Sequence, residues 1–471
     1  MLREVHGHVR IGVRPERVEL AHAWGAPLLG DTRGPATVVP AMANAVLLAA
    51  VLQGGAAGVL ALAVVVPVVV AIFARPQRGV LLLAALVPFN GLLLLTPLPP
   101  AAAAWKEVLV LLTLVATFVA PGSARGRPGR RLPGWAPGVV ALLVLGSGSA
   151  LVVGGLQGLV GLKVVFFYVL VAAVVWRCPL DERERDVLVT VLMVVGVVTS
   201  AFGIAQEVLG AERLNALGYE YNTTIRTTGG FLRAFSTFNQ PFGFGFFLML
   251  VLLVGVPQAF SEPGRLRNRL FLVSLPLLGL GLVFTFVRGA WIGLALGLAY
   301  IGWARHRLLL LGLPLVAVSL LFLPADVASP VLSPSSSAER VSSWGERISE
   351  IGSHPAGAGI GATGSASEKV SALQGKADVY QPDNYYFKIA LELGVVGLWL
   401  LLLVLVASFR SSRQAASALR GRDADLALGV SAMTLAVAGA SVVATYLEIF
   451  PMDVYFWLLL SVVATCGPES P

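Results

Sequence analysis

Residues 238–258 read FNQPFGFGFFLMLVLLVGVPQ and contain no charged side chain. Comparable apolar runs of about 17 to 25 residues recur from residue 36 to residue 466. A helix needs roughly 20 apolar residues to cross a bilayer, and a soluble protein could not cover so many runs of this length. The runs are continuous, whereas the strands of a membrane β-barrel alternate apolar and polar residues. The sequence therefore predicts an all-α, polytopic membrane protein.

The composition limits the classes of function. The 471 residues are 56% hydrophobic and 13% charged, and their mean hydropathy is +0.81. The net charge of +8 is spread thinly over short loops, which fits membrane topology better than a nucleic-acid partner. The two cysteines and the pair His6 and His8 have no metal-ligand spacing around them. We therefore expect no nucleic-acid partner, no metal site and no cofactor.

The apolar runs predict about 12 to 14 membrane-spanning helices. The predicted spans, fourteen if all of them cross, are 36–53, 57–74, 79–96, 104–120, 136–153, 158–176, 187–208, 238–258, 269–286, 288–304, 306–324, 384–408, 425–446 and 452–466.

The basic residues orient these spans. With a cytoplasmic N-terminus, 23 of the 34 lysines and arginines lie on the cytoplasmic side, and every short loop obeys the positive-inside rule. Both long loops, 209–237 and 325–383, then face away from the cytoplasm, and both termini are cytoplasmic. The predicted location is the cytoplasmic (inner) membrane.

Four regions follow from this layout. They are a cytoplasmic tail (1–35), an N-terminal transmembrane bundle containing the outside loop (36–324), a long extracytoplasmic loop with short helices (325–383) and C-terminal transmembrane helices (384–466).

Two arginines lie at the borders of apolar segments. Arg233 follows Arg226 in the first outside loop, and Arg288 is the only charged residue between Arg269 and Arg305. Either arginine can be read as an anchor that meets lipid headgroups. Alternatively, the planar guanidinium matches phosphate oxygens, and two arginines facing one cavity would stabilise a diphosphate leaving group. An ionisable residue in such a setting favours the functional reading.

The long loop contains a predicted amphipathic helix and a glycine-rich segment. The spacing of Val341, Trp344, Ile348 and Ile351 predicts a helix over 337–352 that lies on the membrane face. Residues 359–364 match G-x-G-x-x-G, but neither a strand nor a βαβ unit surrounds them, so we exclude a dinucleotide site. The glycines more plausibly allow close backbone packing. His354, just before them, is either a general base or a polar loop residue.

Polar residues also surround the start of the next apolar run. Asp383 is an N-cap, a general base, or both. Asn384 either orients a sugar hydroxyl or bonds the helix start. Glu392 lies about two turns further on, where an unpaired charge is costly, so we expect it to pair with Arg288 or Lys388.

The candidate residues fall into two groups. The catalytic candidates are Asp383, Arg288, Arg233 and His354. The substrate-binding candidates are Asn384, Arg226, Asn239, Arg340 and Tyr385.

Four motifs resemble those of the O-antigen ligase and polysaccharide polymerase family of integral membrane glycosyltransferases. Residues 233–241 (RAFSTFNQP) resemble its first external arginine motif, and 285–291 (TFVRGAW) resemble its Ser-Arg-Gly element. Residues 354–361 (HPAGAGIG) are similar to its His-Pro-x-x-Gly-x-Gly-x-Gly segment. Asp383-Asn384, nine residues and then GVVG have the spacing of its His-(Asn/Ser/Gln)-x9-Gly-x-x-Gly signature. The motifs cover residues 226–400.

The resemblance implies an inverting, metal-independent transfer of an undecaprenyl-diphosphate-linked glycan to a glycan or lipid-linked acceptor outside the cytoplasmic membrane. It implies that the two arginines hold the donor diphosphate and that the residue opening the last motif deprotonates the acceptor hydroxyl. That residue is a histidine in the family ligases and Asp383 here, which favours a polymerase or a ligase-like enzyme with another acceptor. Membrane lipids are the remaining expected partners.

Two other classes stay open at this point. A transporter of a small solute would show broken helices and paired ionisable residues at the bilayer midplane. A structural membrane protein would leave Arg288 and the glycine-rich segment without a role.

Overall fold

The computed structural model describes residues 63–96, 100–120, 132–228, 230–311, 334–374 and 380–467, apart from the side chains of residues 101, 311, 334–343 and 373. The chain divides into two units, Met1–Val68 and Val69–Pro471. The described part of the first unit is helical. The predicted tail, the span 36–53 and most of the span 306–324 lie outside the described residues.

Helices make up nearly all of the described chain. In chain order they are α1 (Ala63–Ala74), α2 (Gln77–Leu86), α3 (Trp105–Val119), α4 (Ala136–Val153), α5 (Gly155–Phe166), α6 (Val169–Arg177), α7 (Glu182–Ala216), α8 (Pro241–Ser261), α9 (Leu266–Val273), α10 (Leu275–Phe284), α11 (Arg288–Ala304), α12 (Pro334–Ser353), α13 (Gly364–Gln374), α14 (Tyr385–Ala418), α15 (Gly421–Ala440) and α16 (Met452–Thr465).

Short elements connect some of these helices. The 3₁₀ helices are Val87–Leu95, Pro100–Ala104, Arg307–Leu311 and Tyr446–Glu448, and the two strands are β1 (Thr227–Thr228) and β2 (Phe231–Leu232).

The described helices confirm an all-α, multi-pass membrane fold. Seven helical segments of the described chain are long and apolar enough to cross a bilayer, two of them (Gln77–Leu95 and Ala102–Val119) formed by an α-helix with an adjoining 3₁₀ helix. The number rises to nine if each of two bent pairs is one span. The predicted single span 158–176 is the pair α5 and α6, which meet at 52°. The predicted span 269–286 corresponds to α9 and α10, which meet at 45°. Pro276 lies in the first turn of α10, where its missing N–H suits a helix start rather than a continuous helix.

Helix α8 lies at the centre of the bundle of the second unit. It is 94% buried and contacts α7, α11 and α15. Its sequence is apolar on every side, which is the pattern of a helix with no face toward water. This buried helix follows directly on the loop that carries Arg233, so it fixes one end of that loop.

Helix α14 is broken at Gly394, and the glycine-rich segment (residues 354–364) enters the break. Gly394 has a φ of 71°, a conformation that favours glycine. The N–H of Val395 donates to the carbonyl of Pro355 at 3.0 Å instead of continuing the helix. A Cβ on Gly394 would overlap that same carbonyl oxygen. The glycine is therefore required by a close approach of two backbones.

At the break, carbonyl groups of α14 accept hydrogen bonds from the glycine-rich segment. The N–H of Ala358 donates to the carbonyl of Leu391 at 2.7 Å, and the N–H of Gly359 donates to that of Glu392 at 3.0 Å. Backbone groups inside a bilayer need such partners because no water is there to supply them. The segment is therefore part of the folded bundle, joined to α14 by main-chain hydrogen bonds.

The long loop contains helices α12 and α13. The predicted helix over 337–352 is confirmed as α12, which begins and ends close to the predicted bounds. Its Trp344 packs edge-on against Phe387 of α14, with ring centroids 5.7 Å apart, while Ile348 is exposed. One side of α12 is thus attached to the start of α14.

Candidate active site

Four separate parts of the chain line one cavity of about 560 Å³. These parts are the loop before α8, the junction of α10 with α11, the end of the long loop, and the segment between α15 and α16. The lining residues are Arg226, Thr228, Arg233, Gln240, Phe242, Phe286, Val287, Arg288, Gly289, Trp291, Ile292, Ser365, Glu368, Gln381, Pro382, Asp383, Val443, Ala444, Thr445, Glu448 and Ile449. The cavity thus joins residues more than 200 positions apart in the chain.

A small hairpin brings Arg226 and Arg233 together. Strands β1 and β2 pair antiparallel, with Thr227 opposite Leu232. The N–H of Arg233 donates to the carbonyl of Arg226 at 2.8 Å, so the two arginines are the next pair in the register. Opposed residues of an antiparallel pair carry their side chains on the same face. The hairpin therefore places two guanidinium groups at one wall of the cavity.

Arg233 is held at the cavity wall by contacts along its side chain. Its Nε donates to the carbonyl of Thr285 at 3.2 Å, and its guanidinium carbon lies 5.0 Å from the centroid of the Phe242 ring. Burial, followed by the positive charges of Arg226 and Arg288, lowers the pKa of Arg233 to about 10. Three like charges converge here, and a bound anion would relieve both their repulsion and the cost of burial.

Arg288 is placed by a sharp turn between α10 and α11. Phe286 adopts a φ of 52°, which is uncommon for a residue other than glycine. The buried Thr285 hydroxyl accepts the N–H of Val287 at 3.2 Å and donates to the carbonyl of Leu282 at 2.7 Å. Arg288 is consequently the first residue of α11, at a helix end whose dipole also favours anions.

Asp383 and Asn384 have separate positions. The prediction that Asp383 caps the helix is wrong, because Asn384 is the N-cap of α14. The Asn384 side-chain oxygen accepts the N–H groups of Tyr386 at 2.9 Å and Phe387 at 3.2 Å. Asp383 is exposed and lines the cavity. The carboxylate is therefore not used in capping and can meet a ligand.

The predicted partner of Glu392 is confirmed as Lys388. Their side chains form an ion pair at 2.9 Å, and both are completely buried. Lys388 also lies 3.7 Å from Glu448, which lines the cavity. Two buried carboxylates thus share one ammonium group beneath the cavity wall.

Three other candidates lie away from the cavity lining. His354 is exposed, and its Nδ1 lies 3.0 Å from the Ser353 hydroxyl. The Asn239 side chain accepts a hydrogen bond from Asn90 at 3.3 Å. Tyr385 is buried among apolar side chains of α4, α5 and α14. The Arg340 side chain is outside the described part of the structure.

Some lining residues had not been singled out from the sequence. The most informative are Glu368 of α13 and Glu448, which add two carboxylates to that of Asp383 in the cavity lining. A signal was available, since Glu448 is one of few acids in the apolar region after Asp425.

The cavity therefore combines cationic and anionic groups. Its three arginines can bind an anion such as phosphate, and Asp383 can accept a proton or a hydrogen bond. Across the described ranges, His, Cys, Asp and Glu side chains form no group of three or more that could hold a metal ion. The charged side chains suit a ligand with both phosphate and hydroxyl groups.

Two comparisons with known proteins agree with the sequence motifs. Residues 271–402 match the O-antigen ligase family. The chain is also 23% identical over 295 residues to an O-antigen polymerase of Salmonella muenchen, an alignment that covers 58% of this chain and 71% of that protein. The first match includes Arg288, Asp383 and the Gly394 break of α14. In these two regions, and in its helical membrane fold, the chain is thus similar to O-antigen ligases and O-antigen polymerases.

Proposed function

We propose that this protein transfers a glycan from a polyprenyl-diphosphate donor to an acceptor hydroxyl, as a polysaccharide polymerase or an O-antigen-ligase-like enzyme. The observation that carries the proposal is the single cavity lined by Arg226, Arg233, Arg288 and Asp383. Polymerases and ligases of this family share the need for an anion site beside a proton acceptor. The cavity offers both.

The arginines are proposed to bind the donor diphosphate. Guanidinium groups form paired, charge-assisted hydrogen bonds with phosphate oxygens. When the bond between the sugar and the diphosphate breaks, negative charge grows on the leaving oxygen, and pre-positioned cations stabilise it. The depressed pKa of Arg233 fits a site that is incomplete without an anion. In this proposal the guanidinium groups take the role that a metal ion has in other transferases.

Asp383 is proposed to be the general base. Its carboxylate takes the proton of the acceptor hydroxyl while the hydroxyl oxygen attacks the anomeric carbon of the donor sugar. The bond from that carbon to the diphosphate oxygen breaks on the opposite face, so the configuration inverts. Asp383 is preferred to His354 because only Asp383 lines the cavity.

The side of the membrane is proposed from the distribution of charge. The hairpin with Arg226 and Arg233 and the long loop with Asp383 belong to the two long loops that the positive-inside rule assigns away from the cytoplasm. A lipid-linked donor would thus be used at the outer face of the inner membrane. Both termini would then be cytoplasmic.

A transporter is the second candidate, and two observations favour it. Helix α14 is broken at Gly394, and Lys388 and Glu392 form a buried ion pair next to the break. Both features are common at transport sites. The experiment below separates the two functions because a transporter would not change the covalent structure of the glycan.

The test is glycan transfer by purified protein in detergent, with a lipid-diphosphate oligosaccharide as donor. Arg233→Ala and Arg288→Ala are expected to lower transfer by about 10² to 10³-fold, the usual cost of removing a group that stabilises a leaving oxygen. Arg213→Ala is the matched control, since Arg213 is exposed at the end of α7 and does not line the cavity.

Lengthening of the oligosaccharide by repeat units would identify a polymerase, and a single transfer to a distinct acceptor would identify a ligase. Wild-type transfer by either cavity variant would overturn the diphosphate-binding role. Transport of the intact lipid or glycan without any new glycosidic bond would favour the second candidate.

A further inference from the structure

We infer that Lys388 is a positioning residue that fixes, through Glu392 and Glu448, the wall of the cavity that carries Asp383. This inference rests on the proposed function and adds a group that does not itself touch the substrate. Lys388 is the only lysine among the largest fully buried side chains of the described residues. Burying an ammonium group costs free energy unless oppositely charged groups pair with it.

The ammonium group of Lys388 connects two carboxylates from different elements. It lies 2.9 Å from Glu392, one turn further along α14, and 3.7 Å from Glu448 in the 3₁₀ helix before α16. Without the lysine, two negative charges would be left close together in a buried place. The lysine therefore holds the two carboxylates together.

Each carboxylate holds one residue of the long loop. Glu392 accepts the N–H and the hydroxyl of Thr363, at 3.1 and 3.0 Å. Glu448 accepts the N–H and the hydroxyl of Ser365, at 3.0 and 2.5 Å. These four charge-assisted bonds attach the start of α13 to the membrane helices.

Gly364, which lies between Thr363 and Ser365, is linked to the segment that carries Asp383. The N–H of Gly364 donates to the carbonyl of Tyr380 at 3.1 Å. Next to this bond, the Gln381 amide donates to Glu368 of α13 at 2.7 Å. On the other side of Asp383, the N–H of Lys388 donates to the carbonyl of the capping Asn384 at 3.0 Å.

The position of Asp383 thus depends on the Lys388 side chain through the long loop, whereas the main-chain bond from residue 388 to Asn384 forms with any side chain there. Space is tight at the centre of this arrangement, since a Cβ on Gly364 would lie 2.8 Å from Cε of Lys388 and 3.1 Å from the Glu448 carboxylate. The hydrogen bonds described above for the arginine hairpin, within its two strands and from Arg233 to Thr285, involve none of these residues. Loss of the lysine should therefore move the wall that carries Asp383 and leave the anion-binding wall in place.

The experiment separates donor binding from transfer. In the full-length protein, Lys388→Met is expected to lower kcat about 10²-fold, because small misplacements of a catalytic group cost rates of that order. The Kd for the lipid-diphosphate donor should stay within about twofold of wild type, since the arginine contacts are intact. Lys369→Met is the matched control, because Lys369 is exposed on α13 and does not line the cavity.

Two further variants keep the inference testable if Lys388→Met accumulates poorly. Thr363→Val removes one hydrogen bond to Glu392 at a residue that does not line the cavity, and should lower kcat without changing donor affinity. Lys388→Met with Glu392→Gln restores the charge balance of the cluster and should recover at least part of the lost kcat. A double variant no better than Lys388→Met, at equal protein levels, would contradict the charge-balance argument.

Hydrogen–deuterium exchange gives a measurement that is independent of activity. In Lys388→Met the amides of residues 363–365 should exchange faster, while those of residues 226–233 should not change. Unchanged exchange at 363–365 with wild-type kcat would overturn the inference. A parallel loss of donor affinity and kcat would show that Lys388 only supports the fold. Failure of the proposed function would look different, because the wild-type protein itself would then form no glycosidic bond.

Discussion

At the scale of single residues, Asp383 and Asn384 have separate roles, although the sequence left helix capping open for either of them. Asn384 satisfies the first N–H groups of α14, and Asp383 faces the cavity. Asparagine and aspartate are both good N-caps, so residue type alone could not decide which of them caps the helix. The geometry decides it, and it leaves Asp383 available for chemistry.

Because Asp383 and Asn384 have different roles, substitutions of the two residues should have different effects. Asp383→Asn should lower transfer by about 10² to 10⁴-fold, the range for loss of a general base, with no change in thermal stability. Asn384→Ala should instead lower stability by about 1 kcal/mol through loss of the cap. Transfer rates and thermal unfolding of both variants in detergent are the measurements. A stable Asp383→Asn protein with full activity would remove Asp383 from the mechanism, and a dead His354→Ala protein would put His354 there instead.

The depressed pKa of Arg233 predicts a pH dependence of donor binding. Below about pH 9 the guanidinium is protonated, and the affinity for a lipid diphosphate should be constant. As the pH rises through about 10 the group loses its charge, and the affinity should fall. Arg226→Ala removes one of the neighbouring charges that lower this pKa, so the fall should move to higher pH. Measurement of donor affinity from neutral to alkaline pH, with the wild-type protein and with Arg226→Ala, would test both the fall in affinity and the direction in which it moves.

At the scale of elements, the site depends on interruptions in helices. The turn at Thr285–Val287 starts α11 at Arg288, and the break in α14 at Gly394 receives the glycine-rich segment. Irregular backbone is tolerated at membrane depth when protein groups satisfy its hydrogen bonds. The family's glycine motifs therefore have a packing role in this chain: they let the long loop join α14 closely.

The break predicts a large cost for a side chain at Gly394. Gly394→Ala places a Cβ where φ is 71° and where the Pro355 carbonyl lies in contact, so stability should fall by more than about 2 kcal/mol. Gly148→Ala is the control, since a Cβ there meets nothing within 4 Å and the residue lies inside α4. That change should be neutral or slightly stabilising in thermal unfolding. Equal behaviour of the two variants would contradict the proposed packing.

At the scale of the whole molecule, a cluster of ion pairs joins helices at the end opposite the predicted outer loops. Asp186 of α7 lies 3.0 Å from Arg265 and 2.9 Å from Arg267, and 3.3 Å from Arg422 of α15. All three arginines belong to segments that the positive-inside rule assigns to the cytoplasm. The cluster connects α7, α9 and α15, and none of its four residues lines the cavity.

A substitution in this cluster should lower stability without lowering the transfer rate. Asp186→Asn should lower stability by roughly 1.5–3 kcal/mol, since a partly buried carboxylate with several charged donors is lost. Glu182→Gln is the control, because Glu182 is 71% exposed and its ion pair with Arg422 should contribute less than about 1 kcal/mol. Thermal unfolding at two salt concentrations and the transfer rate are the measurements. A large loss of kcat in the stable fraction of Asp186→Asn would contradict a purely structural role.

The sequence by itself determined the class of the fold and the segments that matter. Long apolar runs reveal membrane helices because burial in a bilayer is a property of consecutive residues. The pairing of Glu392 with Lys388 was predictable for a similar reason, since residues four apart share one face of a helix. The motifs around Arg233, Arg288, His354 and Asp383 indicated a resemblance that the comparisons support.

Only the tertiary structure decided which of these residues meet. Arg226, Arg233, Arg288 and Asp383 line one cavity, and His354, Asn239 and Tyr385 do not. The structure also showed that two predicted spans are bent and that Glu448 both lines the cavity and pairs with Lys388. These outcomes depend on contacts between residues far apart in the chain, where local patterns carry no information. Hydropathy indicates which segments enter the membrane, whereas packing between helices decides which side chains converge.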